Sequence, residues 1–224
     1  NASVTLKLMG INSFSLSDWD GCLICCESNS GKTASLTVEG TGTLIAQKTV
    51  EGPDGYDASI GNRDNKDAGI ITINSGVIII ENRKRYYNTA AIGGNNGTIT
   101  INGGIIMVNN MIREAISGST IAISGGILNC ESKIYGTTTG NPFIIAREID
   151  KTNQSSWSGV IFEEDNGKVY GSPTLPDETL TIPSGKTLTI EDGKTLTIGS
   201  NTTLLNEGTI VNNGTIANSG VIGV

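Results

Sequence analysis

The sequence predicts an all-β protein: a single-stranded, right-handed parallel β-helix, with long coils in its N-terminal part and short coils of six- and eight-residue repeats in its C-terminal part. Three observations carry that expectation. The phrase Ile71-Thr72-Ile73-Asn74-Ser75-Gly76-Val77 returns as Ile99-Thr100-Ile101-Asn102-Gly103-Gly104-Ile105 and again as Ile121-Ala122-Ile123-Ser124-Gly125-Gly126-Ile127. Its glycines Gly76, Gly104 and Gly126 recur at intervals of 28 and then 22 residues, the range of a solenoid coil. The core material is also aliphatic: aromatics make up 4% of 224 residues, whereas glycines number 30. A compact sandwich anchors its core on large rings, while a solenoid stacks like aliphatic side chains rung on rung and turns at glycine.

Along the chain, Val4-Thr5-Leu6-Lys7-Leu8 and Leu36-Thr37-Val38-Glu39 alternate strictly and run into glycine corners, so both read as strands. A cysteine-containing strand, Cys22-Leu23-Ile24-Cys25-Cys26, lies between them, and Thr43-Leu44-Ile45-Ala46 follows. The long coils continue to residue 136. Each has a small-Ile step (Ser59-Ile60-Gly61, Ala91-Ile92-Gly93, Ala115-Ile116-Ser117), an Ile-Thr-Ile strand ending at Asn or Ser, and a second strand after the Gly corner. Asn74, Asn102 and Ser124 then occupy equivalent corners and are placed to form a hydrogen-bonded ladder. Residues 137–175 break the pattern and read as a lateral hairpin or irregular coil packed on the helix. From 176 to 224 the repeats tighten: Leu180-Thr181-Ile182, Leu188-Thr189-Ile190 and Leu196-Thr197-Ile198 recur every eight residues, and Gly208-Thr209-Ile210, Gly214-Thr215-Ile216 and Gly220-Val221-Ile222 every six. Helices are not expected beyond a turn or two. Right-handedness follows from the strong bias of parallel crossovers, with a left-handed helix the alternative that the six-residue repeats of the tail leave open. The whole of 1–224 is expected to form one domain, and its start at Asn1 and its stop in mid-pattern suggest a segment of a longer, processed protein.

Fifteen basic and 22 acidic residues leave a net charge of −7. That balance argues against nucleic acid and anionic membranes, which are bound by clustered Lys and Arg. No apolar run approaches the ~20 residues of a membrane span. Histidine is absent, which removes His-based acid–base chemistry, the Ser-His-Asp triad and nearly every catalytic zinc site. The cysteines Cys22, Cys25, Cys26 and Cys130 are expected as small buried thiols, since no second Cys-x-x-Cys or His completes a metal set; a disulfide is the alternative, disfavoured because alternation puts neighbours in 22–26 on opposite faces.

The Ala91-Ile92-Gly93-Gly94 step followed by Gly97-Thr98-Ile99-Thr100-Ile101-Asn102-Gly103-Gly104, and the tail from Leu175-Pro176 through Leu180-Thr181-Ile182-Pro183-Ser184-Gly185-Lys186-Thr187-Leu188-Thr189-Ile190, resemble a family of bacterial cell-surface parallel β-helix proteins. These are carbohydrate-binding domains and adhesins of gut and cellulolytic anaerobes. The resemblance implies a secreted or wall-attached protein at the cell surface and a polysaccharide, host glycan or cell-wall glycan as partner. The chain departs from the family's full Ile-Gly-Gly step at Ser59-Ile60-Gly61-Asn62 and Ala115-Ile116-Ser117-Gly118. The motifs are architectural, and no catalytic residue carries across.

Candidate ligand contacts are Tyr86 and Tyr87, which follow Arg83-Lys84-Arg85 in a variable loop, together with Trp157. Aromatic faces stack on sugar rings, and Arg83 and Arg85 suit acidic sugars through charge-assisted bonds. Trp19 is a weaker candidate platform. The competing reading is that such rings merely pin their own loops to the core. Asp54, Asp57, Asp64 and Asp67 gather oxygen donors near one corner, the donor type calcium takes, so calcium is the candidate cofactor and a solvated turn the plainer alternative. The function expected is therefore a non-catalytic, adhesin-like module binding polysaccharide on a loop-lined flank. A structural stalk is the alternative, and a polysaccharide lyase using Lys84 or Arg85 as base the weaker one.

Overall fold

A computed structural model describes residues 2–17, 21–29, 31–48, 57–63, 66–82, 90–109, 114–150 and 154–224. The chain is almost all β, with mostly parallel strands, and the one helical element among the described residues is a 3-10 turn at Gln154–Ser156. Alternation marks many of the strands. In Thr98–Ile101 the isoleucines are buried and the threonines half-exposed, and the same in-and-out pattern recurs in Thr120–Ile123, Thr187–Ile190 and Thr195–Ile198.

The strands fall into strips of parallel ladders. One strip orders Ser3–Leu8, Ser35–Gly40, Ile70–Ile73, Thr98–Ile101, Thr120–Ile123 and Thr137–Thr138. A second runs Ile11–Leu16, Thr43–Lys48, Val77–Asn82, Ile105–Asn109, Ile127–Ile134, Phe143–Ile149 and Gly159–Glu163. A third set, Ile24–Cys25, Ile60–Gly61, Ala90–Gly93 and Glu114–Ser117, joins the second strip through the far end of Ile127–Ile134. Successive passes of the chain thus revisit the strips in turn, an arrangement compatible with a solenoid. In 137–175 the ladder continues further than the sequence suggests. Phe143–Ile149 and Gly159–Glu163 pair in parallel, and the chain reverses only into Asn166–Tyr170, which lies antiparallel. The tight repeats follow as Thr187–Ile190 beside Thr209–Asn212, Thr195–Ile198 beside Thr215–Asn218, and Thr203–Asn206 between Thr179–Ile182 and Val221–Gly223.

Register places like on like. Ile71, Ile99 and Ile121 form one column, Ile73, Ile101 and Ile123 the next, and Ile78, Ile106, Leu128 and Ile144 a third. These ten side chains lie in one continuous core reaching from Leu8 to Ile161. A second core, built on the Phe143–Phe162 ring pair (centroids 5.8 Å apart), extends to Leu204. Burial of each such side chain contributes roughly 2–3 kcal/mol, which a single pass could not collect alone. Gly93 shows why the small-Ile-Gly step needs its glycine. Its φ is +101°, and a Cβ there would run into the Ser117 carbonyl of the next pass.

The corner ladder forms. Asn102 Nδ2 donates to Asn74 Oδ1 at 2.9 Å, and Ser124 Oγ donates to Asn102 Oδ1 at 3.0 Å. Asn102 is the middle member, so Asn102→Ala breaks both rungs and is expected to cost about 1 kcal/mol in urea titrations, more than Ser124→Ala, which leaves the Asn102–Asn74 rung in place.

The cysteines correct the sequence expectation in part. Cys26 and Cys130 are buried thiols, but Cys22 and Cys25 form a disulfide. The alternation argument assumed one continuous strand through 22–26. The strand spans only Ile24–Cys25, and the bend before it brings the two sulfurs together.

Candidate functional site

Three consecutive features of the 143–170 region build a groove on the flank. The strand Phe143–Ile149 ends in exposed Arg147 and Glu148, just past a register shift between Cys130 and Lys133 of the neighbouring strand. Such a bulge re-aims the side chains that follow it. The 3-10 turn brings Gln154 and then Trp157. The antiparallel strand Asn166–Tyr170 buries Gly167 and Val169, which leaves Lys168 and Tyr170 on the opposite, outward face.

These residues line a cavity of about 550 Å³ with Glu163 and Asn166, and a second of about 360 Å³ that shares Gln154, Trp157, Lys168 and Tyr170 and reaches Glu191 and Lys194. Together they make one groove. Trp157 is 5% exposed and meets Tyr170 edge-on, ring centroids 5.2 Å apart. Its Nε1 is buried with no acceptor among the described residues. Gln154 Nε2 donates to the Tyr170 hydroxyl at 3.0 Å. Lys168 pairs with Glu191 at 2.8 Å across the groove, and Lys133 with Glu148 at 2.6 Å at its edge. The hydrogen bond to Glu191 raises the Lys168 ammonium and lowers the Glu191 carboxyl, so both stay charged through the neutral range. Arg147 is exposed and has no ionic partner among the described residues. The groove therefore offers a partly exposed aromatic surface, planar amides and ionised groups of both signs, able to stack on an apolar face and to exchange hydrogen bonds with hydroxyls.

A larger cavity of about 700 Å³ follows the glycine corners from Gly40 to Gly126 and ends at Asp177 and Glu178. Its walls are set by stacking. A Cβ at Gly104 or Gly126 would press on the carbonyl of the preceding pass at 2.8 Å. It has the Asn ladder beside it but no ring.

Of the ligand contacts expected from sequence, Trp157 sits inside the groove, as a buried wall rather than an open platform. Arg83, Arg85, Tyr86 and Tyr87 lie outside the described residues, as do Trp19, Lys84, Asp54 and Asp64. Asp57 is buried, takes the Gly21 N–H on its carboxylate, and neighbours the buried Lys48, whose Nζ donates to the Asp57 carbonyl at 2.7 Å. Burial pushes Lys48 down to about 8 against the pull of Asp57. Asp67 is exposed and accepts from Asn96 Nδ2 at 2.8 Å. Among the described residues, the three-donor group close enough to share a metal is Cys22, Cys25 and Glu27. With the sulfurs bonded to each other, that set is closed to an ion. The groove residues Arg147, Gln154, Lys168 and Tyr170 escaped sequence reasoning, because each alone reads as a solvated side chain. The signal available was Trp157 in a polar stretch.

No described helix is long and apolar enough to cross a membrane. Comparison with known proteins finds no matching family model, no significant match among curated proteins and none among solved structures.

Proposed function

We propose that this chain is a non-catalytic, adhesin-like module of the cell surface that binds polysaccharide on the flank of a right-handed parallel β-helix. The observation that carries the reading is the groove in which the Trp157–Tyr170 pair, Gln154, Arg147 and the Lys168–Glu191 pair converge. Sugars present an apolar ring face and a belt of hydroxyls, which aromatic carbon and planar polar side chains meet together. The parallel ladders support the helix, and the disulfide supports an extracellular setting, where such bonds persist.

A glycan array of host and plant polysaccharides, run with calcium and with chelator, tests the reading. Binding to at least one glycan is expected, with Tyr170→Ala weakening it about tenfold (~1.4 kcal/mol) and Arg147→Ala weakening it most for uronic-acid polymers. Binding that survives Tyr170→Ala but disappears on substituting Tyr86 and Tyr87 would move the site to that loop. Loss with chelator would bring the Asp54–Asp67 corner into it. No binding to any glycan would leave the stalk as the better account.

A further inference from the structure

The Cys22–Cys25 disulfide is poorly suited to a structural task. It joins residues three apart in sequence, so it staples no two passes of the chain together. The loop it closes is so short that it constrains the unfolded chain far less than a long-range cross-link would. The backbone around it is held by other means. The N–H groups of Leu23 and Ile24 both donate to the Ser59 carbonyl, at 3.0 and 3.1 Å, and the Cys26 N–H donates to the Gly61 carbonyl at 2.7 Å. Cys26 itself is buried, its thiol directed at the Ile70 carbonyl. The segment is thus fixed to the next pass whether or not the sulfurs are joined.

The two sulfurs are also unequal. Cys25 is exposed, whereas Cys22 is the more covered and lies 4.0 Å from Glu27 Oε1. Glu27 does not swing freely: Arg63 grips it through Nε at 2.7 Å, Nη2 at 3.1 Å and its backbone N–H at 3.0 Å. That fork also holds the Glu27 carboxyl below its ordinary range. A thiol arriving from solvent therefore meets Cys25 first, and the sulfur it displaces emerges beside a fixed carboxylate.

We propose that Cys22–Cys25 is a thiol-exchange site that takes low-molecular-weight thiols as a covalent partner on Cys25. The incoming thiolate attacks Cys25 Sγ, the Cys22–Cys25 bond breaks, and its electron pair leaves on Cys22 as thiolate. The product is a mixed disulfide at Cys25. It resolves by return of Cys22, which expels the original thiolate and restores the bond, or by a second thiolate, which leaves both cysteines reduced and the two small thiols joined. No other oxidant or reductant is needed. The Glu27 carboxylate disfavours a second negative charge on Cys22, so it makes Cys22 a reluctant leaving group and keeps the site mostly closed until thiol is plentiful. Glu27 is in this sense a positioning residue.

The full chain, incubated folded in graded mixtures of reduced and oxidised glutathione with chelator present, then acid-quenched, alkylated and read by mass spectrometry, tests this. Glutathione adducts on Cys25 and a reduced Cys22–Cys25 pair are expected while circular dichroism stays native and Cys26 and Cys130 remain unmodified. In Cys22→Ser, Cys25 should trap glutathione stoichiometrically, whereas in Cys25→Ser the remaining Cys22 should be modified several-fold less. Glu27→Gln should raise the adduct fraction several-fold. A pair that opens only in denaturant, an adduct found mainly on Cys22, or loss of native dichroism on reduction would each overturn the proposal. Both serine variants leave the groove intact, so unchanged glycan binding by them separates this outcome from that of the function proposed above.

Discussion

Replacing Ile101 with Ala is expected to destabilise the protein by about 3–4 kcal/mol, whereas Thr100→Ala, one residue earlier, should cost well under 1 kcal/mol. Ile101 is fully buried and sits between Ile73 and Ile123 in its column. The column cannot collapse into the gap, because the flanking passes are held at ladder spacing by their own main-chain bonds, so most of the cavity persists and its cost adds to the lost transfer free energy. Thr100 points the other way and is half-exposed. Urea titration followed by circular dichroism measures both. Equal losses at 100 and 101 would mean that the two faces of this strand are not distinguished by burial.

The second large effect appears on raising pH. Cys130 is fully buried between Val108 and Ala146, and desolvation pushes its thiol up to about 12 from an ordinary value of 9.0. In the unfolded chain the thiol ionises first, so the native state holds the extra proton. The stability this gives is whole below pH 9 and is lost as pH climbs toward 12, with a ceiling of ~4 kcal/mol. Cys26, also raised by burial, acts in the same direction. Lys48, lowered to about 8 from 10.5, acts oppositely, since the unfolded state binds its proton more tightly and stability gains as pH rises between those values. The comparison that isolates Cys130 is therefore wild type against Cys130→Ala. The gap between their unfolding free energies should narrow by about 2 kcal/mol between pH 8.5 and 10.5. A constant gap would mean that water reaches the thiol.

What could be read in the sequence were the features that repeat. Thr-Ile alternation, the glycine corners and the Asn74–Asn102–Ser124 ladder are local patterns copied from pass to pass, and the structure keeps all three. Features that depend on one particular meeting were harder to read. Lys168 shares a cavity with Arg147 and an ion pair with Glu191 only because register brings these stretches of chain side by side. The hairpin between Gly159–Glu163 and Asn166–Tyr170 shows the same difficulty. Asn166-Gly167 has the composition of a tight hairpin turn, yet the chain turns two residues earlier at Glu164-Asp165, with Glu164 at φ 52°. Gly167 serves instead to let the Phe162 ring lie against its backbone, where a Cβ would collide. Packing the second core outweighed the local preference. The disulfide ranked behind free thiols in the sequence for a similar reason: a two-residue strand cannot sustain the alternation that a five-residue one would.

The same register has a consequence for how the molecule comes apart. Ile99 pairs with Ile71 and Ile121, and Leu188 with Ile210, so each link joins neighbours along a line and few contacts bridge distant passes. Cooperativity in such a line is only as long as its weakest coupling. The two cores meet at Phe143–Ile149 and Gly159–Glu163, whose side chains divide between them, so two melting units are expected to part there. Amide exchange should accordingly divide there, slow within each block and faster toward the terminal strands, as in a one-dimensional lattice losing order from its ends.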